Sequence, residues 1–235
     1  MALTLPTEKH KPKKGWPTNE TWLIAGQPKI GKTTFASQWP ETLILSLGQE
    51  GADYVENAAV LDIASWEELQ EAYSLLRGKG DKIPYQTVAI DTIDVVNDWA
   101  EKLVCEELGI VQIGEASYGA DWGAARTKVL NLIAAFSQLP VNLLVVSHSR
   151  WAIVNDVAVG HTIDLPGKLA RFTMAAIDNV LFIIADGKKR KLVFQPTEGI
   201  EAGSRNPVLA SAGTCDFSYK ALRELFEEGK DANGK

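Results

Sequence analysis

Residues 26–33 read Gly26-Gln27-Pro28-Lys29-Ile30-Gly31-Lys32-Thr33. This is a complete G-x-x-x-x-G-K-[ST] pattern, which functions only between a strand and a helix. Both flanks are present: an apolar run over 21–25 precedes it, and 34–39 reads as a helix. The pattern therefore commits the chain to an α/β fold in which a buried strand passes directly into a helix. The glycines permit a tight path whose N–H groups converge on an anion. Lys32 adds a point charge, and the Thr33 hydroxyl is placed to ligate Mg2+. The positive end of the helix faces the same anion. Gly26 through Thr33, with Thr34, are thus the candidate binding residues for ATP.

A second polar position belongs with the first. The run 86–90 reads as a strand, and Asp91 stands at its carboxyl end. A carboxylate there holds Mg2+ directly or through water, the Walker B arrangement; alone, the same Asp would simply cap the following helix. Asp94 suits the helix dipole. Glu50, in Leu47-Gly48-Gln49-Glu50-Gly51, lies just past another strand at the edge where open α/β sheets bind ligands. It reads either as the base that orients a water or as an exposed loop side chain. His148 ends the apolar run 141–146 two residues on and precedes Ser149 and Arg150. It reads as a γ-phosphate sensor or as a histidine bonded to local backbone.

The rest of the chain continues the α/β pattern. Strands are expected at 42–47, 58–63, 86–90 and 141–146, and a strand pair at 177–185 and 191–195 about the turn Asp186-Gly187. Helices are expected at 65–76, opened by the capping box Ser65-x-x-Glu68, at 93–109 closed by Gly109, at 121–139 and at 218–228. Alternating strands and helices with apolar strands imply a mostly parallel central sheet with helices on both faces. With 235 residues and a 46% hydrophobic fraction, one domain over 16–229 is expected. A basic tail over 1–15, holding Lys9-His10-Lys11-Pro12-Lys13-Lys14, and a disordered end over 230–235 flank it. The tail reads as a solvated end or as an electrostatic arm.

Composition narrows the function. The net charge of −6 argues against generic nucleic-acid binding, so any such contact must use local basic patches. No apolar run is long enough to span a membrane, and no signal-peptide stretch opens the chain, so a cytoplasmic protein is expected. Cys105 and Cys215 lack metal-type spacing, and a buried thiol is expected for Cys105. There is no N-K-x-D base-reading motif, which disfavours a GTPase. There is no L-S-G-G-Q-like segment, which disfavours a transporter-type ATPase. The scattered arginines form no lid-like cluster, which weakens a small-molecule kinase reading.

Five segments together resemble the RecA-like recombinase core, most closely the short phage-encoded P-loop ATPases of the single-strand-annealing recombinase class. They are 22–36, Ile90-Asp91-Thr92, Tyr118-Gly119-Ala120-Asp121-Trp122, Val145-Val146-Ser147-His148 and Leu165-Pro166-Gly167-Lys168. The resemblance covers roughly 20–210. It implies that the strand ending in His148 lies between the phosphate-loop strand and the Asp91 strand. It implies that Glu50 activates water, though the acidic residue usual before it is replaced by Gly48-Gln49. It makes 109–120 and 149–167 two DNA-facing loops, with Arg150, Trp151, Lys168 and Arg171 as DNA contacts. Trp151 has a second reading, packing on Ile153 and Val154 of its own loop. The resemblance also implies a basic group donated to the ATP site by a neighbouring subunit, from Arg205 or from Lys188-Lys189-Arg190-Lys191; the latter also reads as a solvated turn.

The implied function is Mg-ATP-dependent ssDNA binding that assists recombination or single-strand annealing. Single-stranded DNA, further copies of the chain in a ring or filament, and a phage single-strand-binding protein are the implied partners. Two other readings stay open: a non-hydrolysing ATP-bound annealing scaffold, and a P-loop kinase or ATPase acting on a small molecule.

Overall fold

The computed structural model describes residues 15–48, 52–154 and 156–231. Strand β1 (Thr21–Gly26) leads through the phosphate loop into helix α1 (Lys32–Ala36). Then follow β2 (Thr42–Leu47), β3 (Ala59–Ile63), α2 (Trp66–Lys79), β4 (Thr87–Asp91) and α3 (Ile93–Leu108). The central part holds α4 (Ala120–Phe136), β5 (Asn142–Val154), β6 (Val157–Ile163) and α5 (Gly167–Ala176). The chain closes with β7 (Asn179–Asp186), β8 (Lys189–Val193), β9 (Gly203–Ser204), α6 (Pro207–Ala212), β10 (Thr214–Asp216) and α7 (Tyr219–Asp231).

The sheet runs β10-β8-β7-β1-β5-β4-β2-β3. From β7 to β3 every neighbouring pair is parallel, while β8 and β10 join antiparallel. Strand β5 lies between β1 and β4, as the resemblance implied. Strands β1 and β2 are buried along their whole length, as parallel strands covered on both faces must be. Their side chains alternate between two cores. Leu23 and Ala25 face one side with Leu45, Val88, Ile90 and the apolar stripes of α2 to α5. Trp22 and Ile24 face the other with Phe35, Trp39, Leu181, Leu192 and Leu222, under α1, α6 and α7. Each such side chain contributes about 1.5–3 kcal/mol by leaving water, so the strand ends that carry polar residues sit on a rigid platform.

Two expected helix ends are as read. Ser65 accepts the Glu68 N–H at 3.2 Å, although the Glu68 carboxylate reaches back to the Ala64 N–H, not to that of Ser65. Gly109 closes α3 in the left-handed region at φ 65°. One expectation is corrected. Residues 149–167 are not a loop: β5 continues to Val154 and turns back as β6, pairing Ser149 with Ile163 and Trp151 with His161. Cys105 is half-buried on α3 and not in the core. The cluster Lys9–Lys14 and residues 232–235 lie outside the described residues. Among the described residues, no helix is long and apolar enough to cross a membrane.

Candidate nucleotide site and adjoining groove

The phosphate loop is built by two left-handed residues, Lys29 at φ 63° and Gly31 at φ 103°. Side chains are excluded at both glycines. A Cβ on Gly26 would lie 2.9 Å from Ile30 Cγ2, and one on Gly31 would collide with the Arg190 guanidinium. Lys32 is buried, and its Nζ donates to the carbonyls of Gly26 at 3.2 Å and Gln27 at 3.1 Å. Burial lowers its pKa, against the pull of Asp91 and Asp94. The first N–H groups of α1 have no acceptor within the helix and point back into the loop.

Asp91 ends β4 two strands away from β1, yet its carboxylate accepts the Thr33 hydroxyl at 2.6 Å. Burial raises its pKa, against the Thr33 hydrogen bond and the charges of Lys32 and His148, and with the repulsion of Asp94. These groups fit a Mg-nucleotide. A hydroxyl and a carboxylate already share one point, and Mg2+ takes few protein ligands because it keeps several waters. Consistently, no group of three or more His, Cys, Asp or Glu among the described residues has a metal-holding arrangement. Lys32, held only by two carbonyls, is free to exchange them for phosphate oxygens.

Asp94 does more than favour a helix dipole. From the first turn of α3 it accepts the Ser147 hydroxyl at 2.8 Å and the His148 N–H at 3.2 Å. Its Oδ2 also lies 2.6 Å from His148 Nδ1. Against a carboxylate Nδ1 acts as the donor in that contact, which leaves Nε2 for another partner. His148 stands in register with Gly26, the first residue of the loop. Its own carbonyl accepts the Asp164 N–H at 2.8 Å, where the β5–β6 hairpin returns.

The structure thus brings together Lys32, Thr33, Asp91 and His148, with Gly26 through Thr34 around them. Glu50 lies outside the described residues. Arg205 is elsewhere in the subunit: it pairs with Asp178 at 2.8 Å, beside the amino end of β1, where Asp178 also binds Thr21. Arg150 is turned onto the Leu165 carbonyl at 3.0 Å and onto Asp164. Trp151 stacks on His161 at 4.0 Å between ring centroids, yet stays 54% exposed. Lys168 and Arg171 lie on the first turns of α5, and Arg171 covers the Phe172 ring at 5.4 Å.

A groove leads away from Asp94 between α3, α4 and α5. Its near part, about 530 Å³, is lined by Asp94, Asp98, Arg150 and Asp164. It shares Asn97, Glu101, Trp122 and Pro166 with a deeper part of about 390 Å³ that ends at Tyr118, Arg126 and Lys168. Tyr118 is fully exposed with φ 58°, and Arg126 lies 5.6 Å over the Phe172 ring.

The loop carrying Tyr118 is pinned by Asp121, which opens the helix read at 121–139 and lies in the Tyr118–Trp122 segment of the resemblance, with no role of its own assigned there. Its buried carboxylate accepts the N–H groups of Gly114, Ala116 and Trp122. Burial disfavours the charged form, but these three donors outweigh it and hold the carboxyl below its ordinary value of 3.8. A depressed carboxyl stabilises the fold above its unfolded pKa and loses that contribution as pH falls through the folded value. An Asp121→Asn chain is expected to melt lower at neutral pH and to lose less stability than the parent below about pH 4. Thermal melts across pH check this; parallel pH curves would contradict it.

Comparison with known proteins agrees with this architecture. A family model described as AAA domain matches residues 18–206, and the chain belongs to that family. The SPbeta prophage-derived uncharacterized protein YorG of Bacillus subtilis is 22% identical over 129 residues. That alignment covers 54% of this chain and only 40% of the relative's length. The KaiC-like protein PH0186 from Pyrococcus horikoshii superposes with a TM-score of 0.47 at 17% identity, covering 76% of this chain and 79% of that one. By the family match the chain is an AAA-domain protein, and it has a prophage-derived relative.

Proposed function

We propose that this AAA-domain chain is a Mg-ATP-dependent ATPase that binds single-stranded DNA and assists phage recombination or strand annealing. The observation that carries the reading is the continuity between Asp94, beside Thr33 and Asp91, and an aromatic, partly basic groove. Bound ATP would supply the γ-phosphoryl group whose arrival and loss the site reads. Lys32 and Thr33 bind and orient the polyphosphate with Asp91, and His148 presents Nε2 toward it. His148 transmits a change to the hairpin through its carbonyl bond to Asp164.

Charge decides how DNA would lie. The near wall carries Asp94, Asp98, Glu101 and Asp164, so phosphates are repelled there. Arg126 and Lys168 form the far rim, where phosphates are accepted, and Arg171 shares the Phe172 ring with Arg126 beyond it. Exposed Tyr118 and Trp122 offer faces for bases between them, and exposed Trp151 stands on the adjoining β5–β6 hairpin. Aromatic stacking contributes about 1–3 kcal/mol per base and tolerates any sequence. The prophage origin of the related protein supports a phage setting, and filament or ring assembly would place several grooves along one strand.

Fluorescence anisotropy of labelled oligonucleotides, with and without a nonhydrolysable ATP analogue across a salt series, tests this. Affinity is expected to rise with nucleotide and fall steeply with salt. Tyr118→Ala and Trp122→Ala are each expected to weaken binding about tenfold. Affinity indifferent to nucleotide, or unchanged in both variants, would overturn the DNA assignment.

A further inference from the structure

We infer that Arg190 acts on the phosphate loop of its own subunit, as a positioning residue that sets the Ile30–Gly31 peptide for nucleotide binding. The inference rests on the nucleotide-site reading above, and it departs from the expectation that the 188–191 segment serves a neighbouring subunit.

Strand β8 runs antiparallel to β7, so its first residues lie at the carboxyl edge of the sheet, beside the loop that leaves β1. Arg190 sits there on the α1 side, two residues before Leu192, which is buried in the same core as Phe35. Its Nη1 donates to the Ile30 carbonyl at 2.8 Å. Its guanidinium carbon lies 4.2 Å over the Phe217 ring, and Phe217 packs on Phe35 of α1 at 5.6 Å. The Phe217 N–H bonds back to the Arg190 carbonyl at 3.3 Å. The guanidinium is therefore held at both its plane and its edge, although the side chain is exposed.

The consequence follows from peptide geometry. In a planar trans peptide the C=O and N–H point in opposite directions. A cation that draws the Ile30 carbonyl outward turns the Gly31 N–H inward, to the concave side where phosphate oxygens are bound. Nothing in the backbone alone enforces that choice, because Gly31 has φ 103° and glycine accepts either orientation. With Arg190 in place the wrong orientation exposes the N–H to the guanidinium and loses a charge-assisted bond. The Arg190 charge also adds to that of Lys32 near the polyphosphate.

The test is binding of a fluorescent ADP or ATP analogue with Mg2+ to the full chain, followed by turnover kinetics. Arg190→Ala is expected to weaken nucleotide binding about tenfold and raise KM in proportion, with kcat changed less than threefold. Phe217→Leu, which removes the ring beneath the guanidinium, is expected to weaken binding two- to fivefold. Arg190→Lys restores part of the loss, because an ammonium can donate to Ile30 but lacks the planar stack. Arg77→Ala, which removes an equal charge from α2, is the control with unchanged affinity. At nucleotide well below KM, mixing Arg190→Ala with Lys32→Ala chains is expected to regain no activity beyond the sum of the two alone, since both defects lie in one subunit's site. Unchanged affinity in Arg190→Ala, a loss confined to kcat, or activity regained on mixing would each overturn the inference while leaving the nucleotide site standing. A parent chain that binds no nucleotide would remove the nucleotide site and this inference together.

Discussion

A Lys32→Ala chain is expected to fold normally and to lose nucleotide turnover by at least 10²–10³-fold, the scale of removing a preorganised charge donor from a reacting site. The expectation of an intact fold comes from what Lys32 touches. It lies under the loop with its Nζ on two carbonyls of that loop and anchors no other element. Its burial already lowers its pKa, so the cation is desolvated at a cost the fold bears in order to hold it there. Removing it leaves Asp91 and Asp94 with less opposing charge, which works against stability, and removes that desolvation cost, which works for it. The melting temperature should move by only a few degrees. The functional loss has no such offset, because among the described residues no other buried cation stands beside Gly26 and Gln27. Lys32→Arg should not restore activity, since a planar guanidinium does not fit the space that an ammonium fills between two carbonyls. Phosphate release and fluorescent-nucleotide binding, with a thermal melt as control, decide the matter. Normal turnover in Lys32→Ala would place the chemistry elsewhere.

The parts of this site that the sequence made legible are those where local pattern and tertiary role coincide. Gly26 to Thr33 form a contiguous motif, and Asp91 follows an apolar strand of ordinary length, so each announces itself within a few residues. The Ser65 cap and the Gly109 helix end are legible for the same reason. What was misread depends on pairing between distant segments. The 149–167 stretch carries the exposed apolar alternation Trp151, Ile153, Val157 and Val159, which is a strand period. The loop reading rests on the resemblance and not on this residue pattern. Asp121 looked like any polar residue early in a helix, and only the folded loop shows three N–H groups converging on it. Arg190 lay in a run of four basic residues that reads equally as a solvated turn. Its bond to Ile30 spans 160 residues of chain, and no local pattern carries such information.

Asp94 is the sharpest case, and it yields the second large effect. Its partners Ser147 and His148 follow the apolar run of β5, 53 and 54 residues along the chain, and the pairing exists only because β4 and β5 are neighbours. Asp94→Asn is expected to reduce turnover about 10²-fold, the lower range of what a positioned proton-transfer group supplies. Nucleotide affinity should change less than threefold. The amide keeps the size of the carboxylate but not its charge or its pure acceptor character. The His148 N–H and Nδ1 both meet Oδ2, and the Ser147 hydroxyl meets Oδ1. An Asn with its carbonyl oxygen at the Oδ2 position keeps both His148 contacts and donates its NH2 to the Ser147 oxygen. What is lost is the negative charge against the imidazole, so His148 is a weaker proton acceptor at Nε2. A merely structural role would show as a lowered melting temperature and weaker binding together. The positioning role shows instead as a fall in kcat at constant affinity. Asp94→Glu should recover part of the rate, since it restores the charge with a longer reach. If Asp94→Asn turns over nucleotide at the parent rate, His148 does not depend on this charge. Its carbonyl bond to Asp164 would then be the contact through which β5 links the nucleotide to the hairpin.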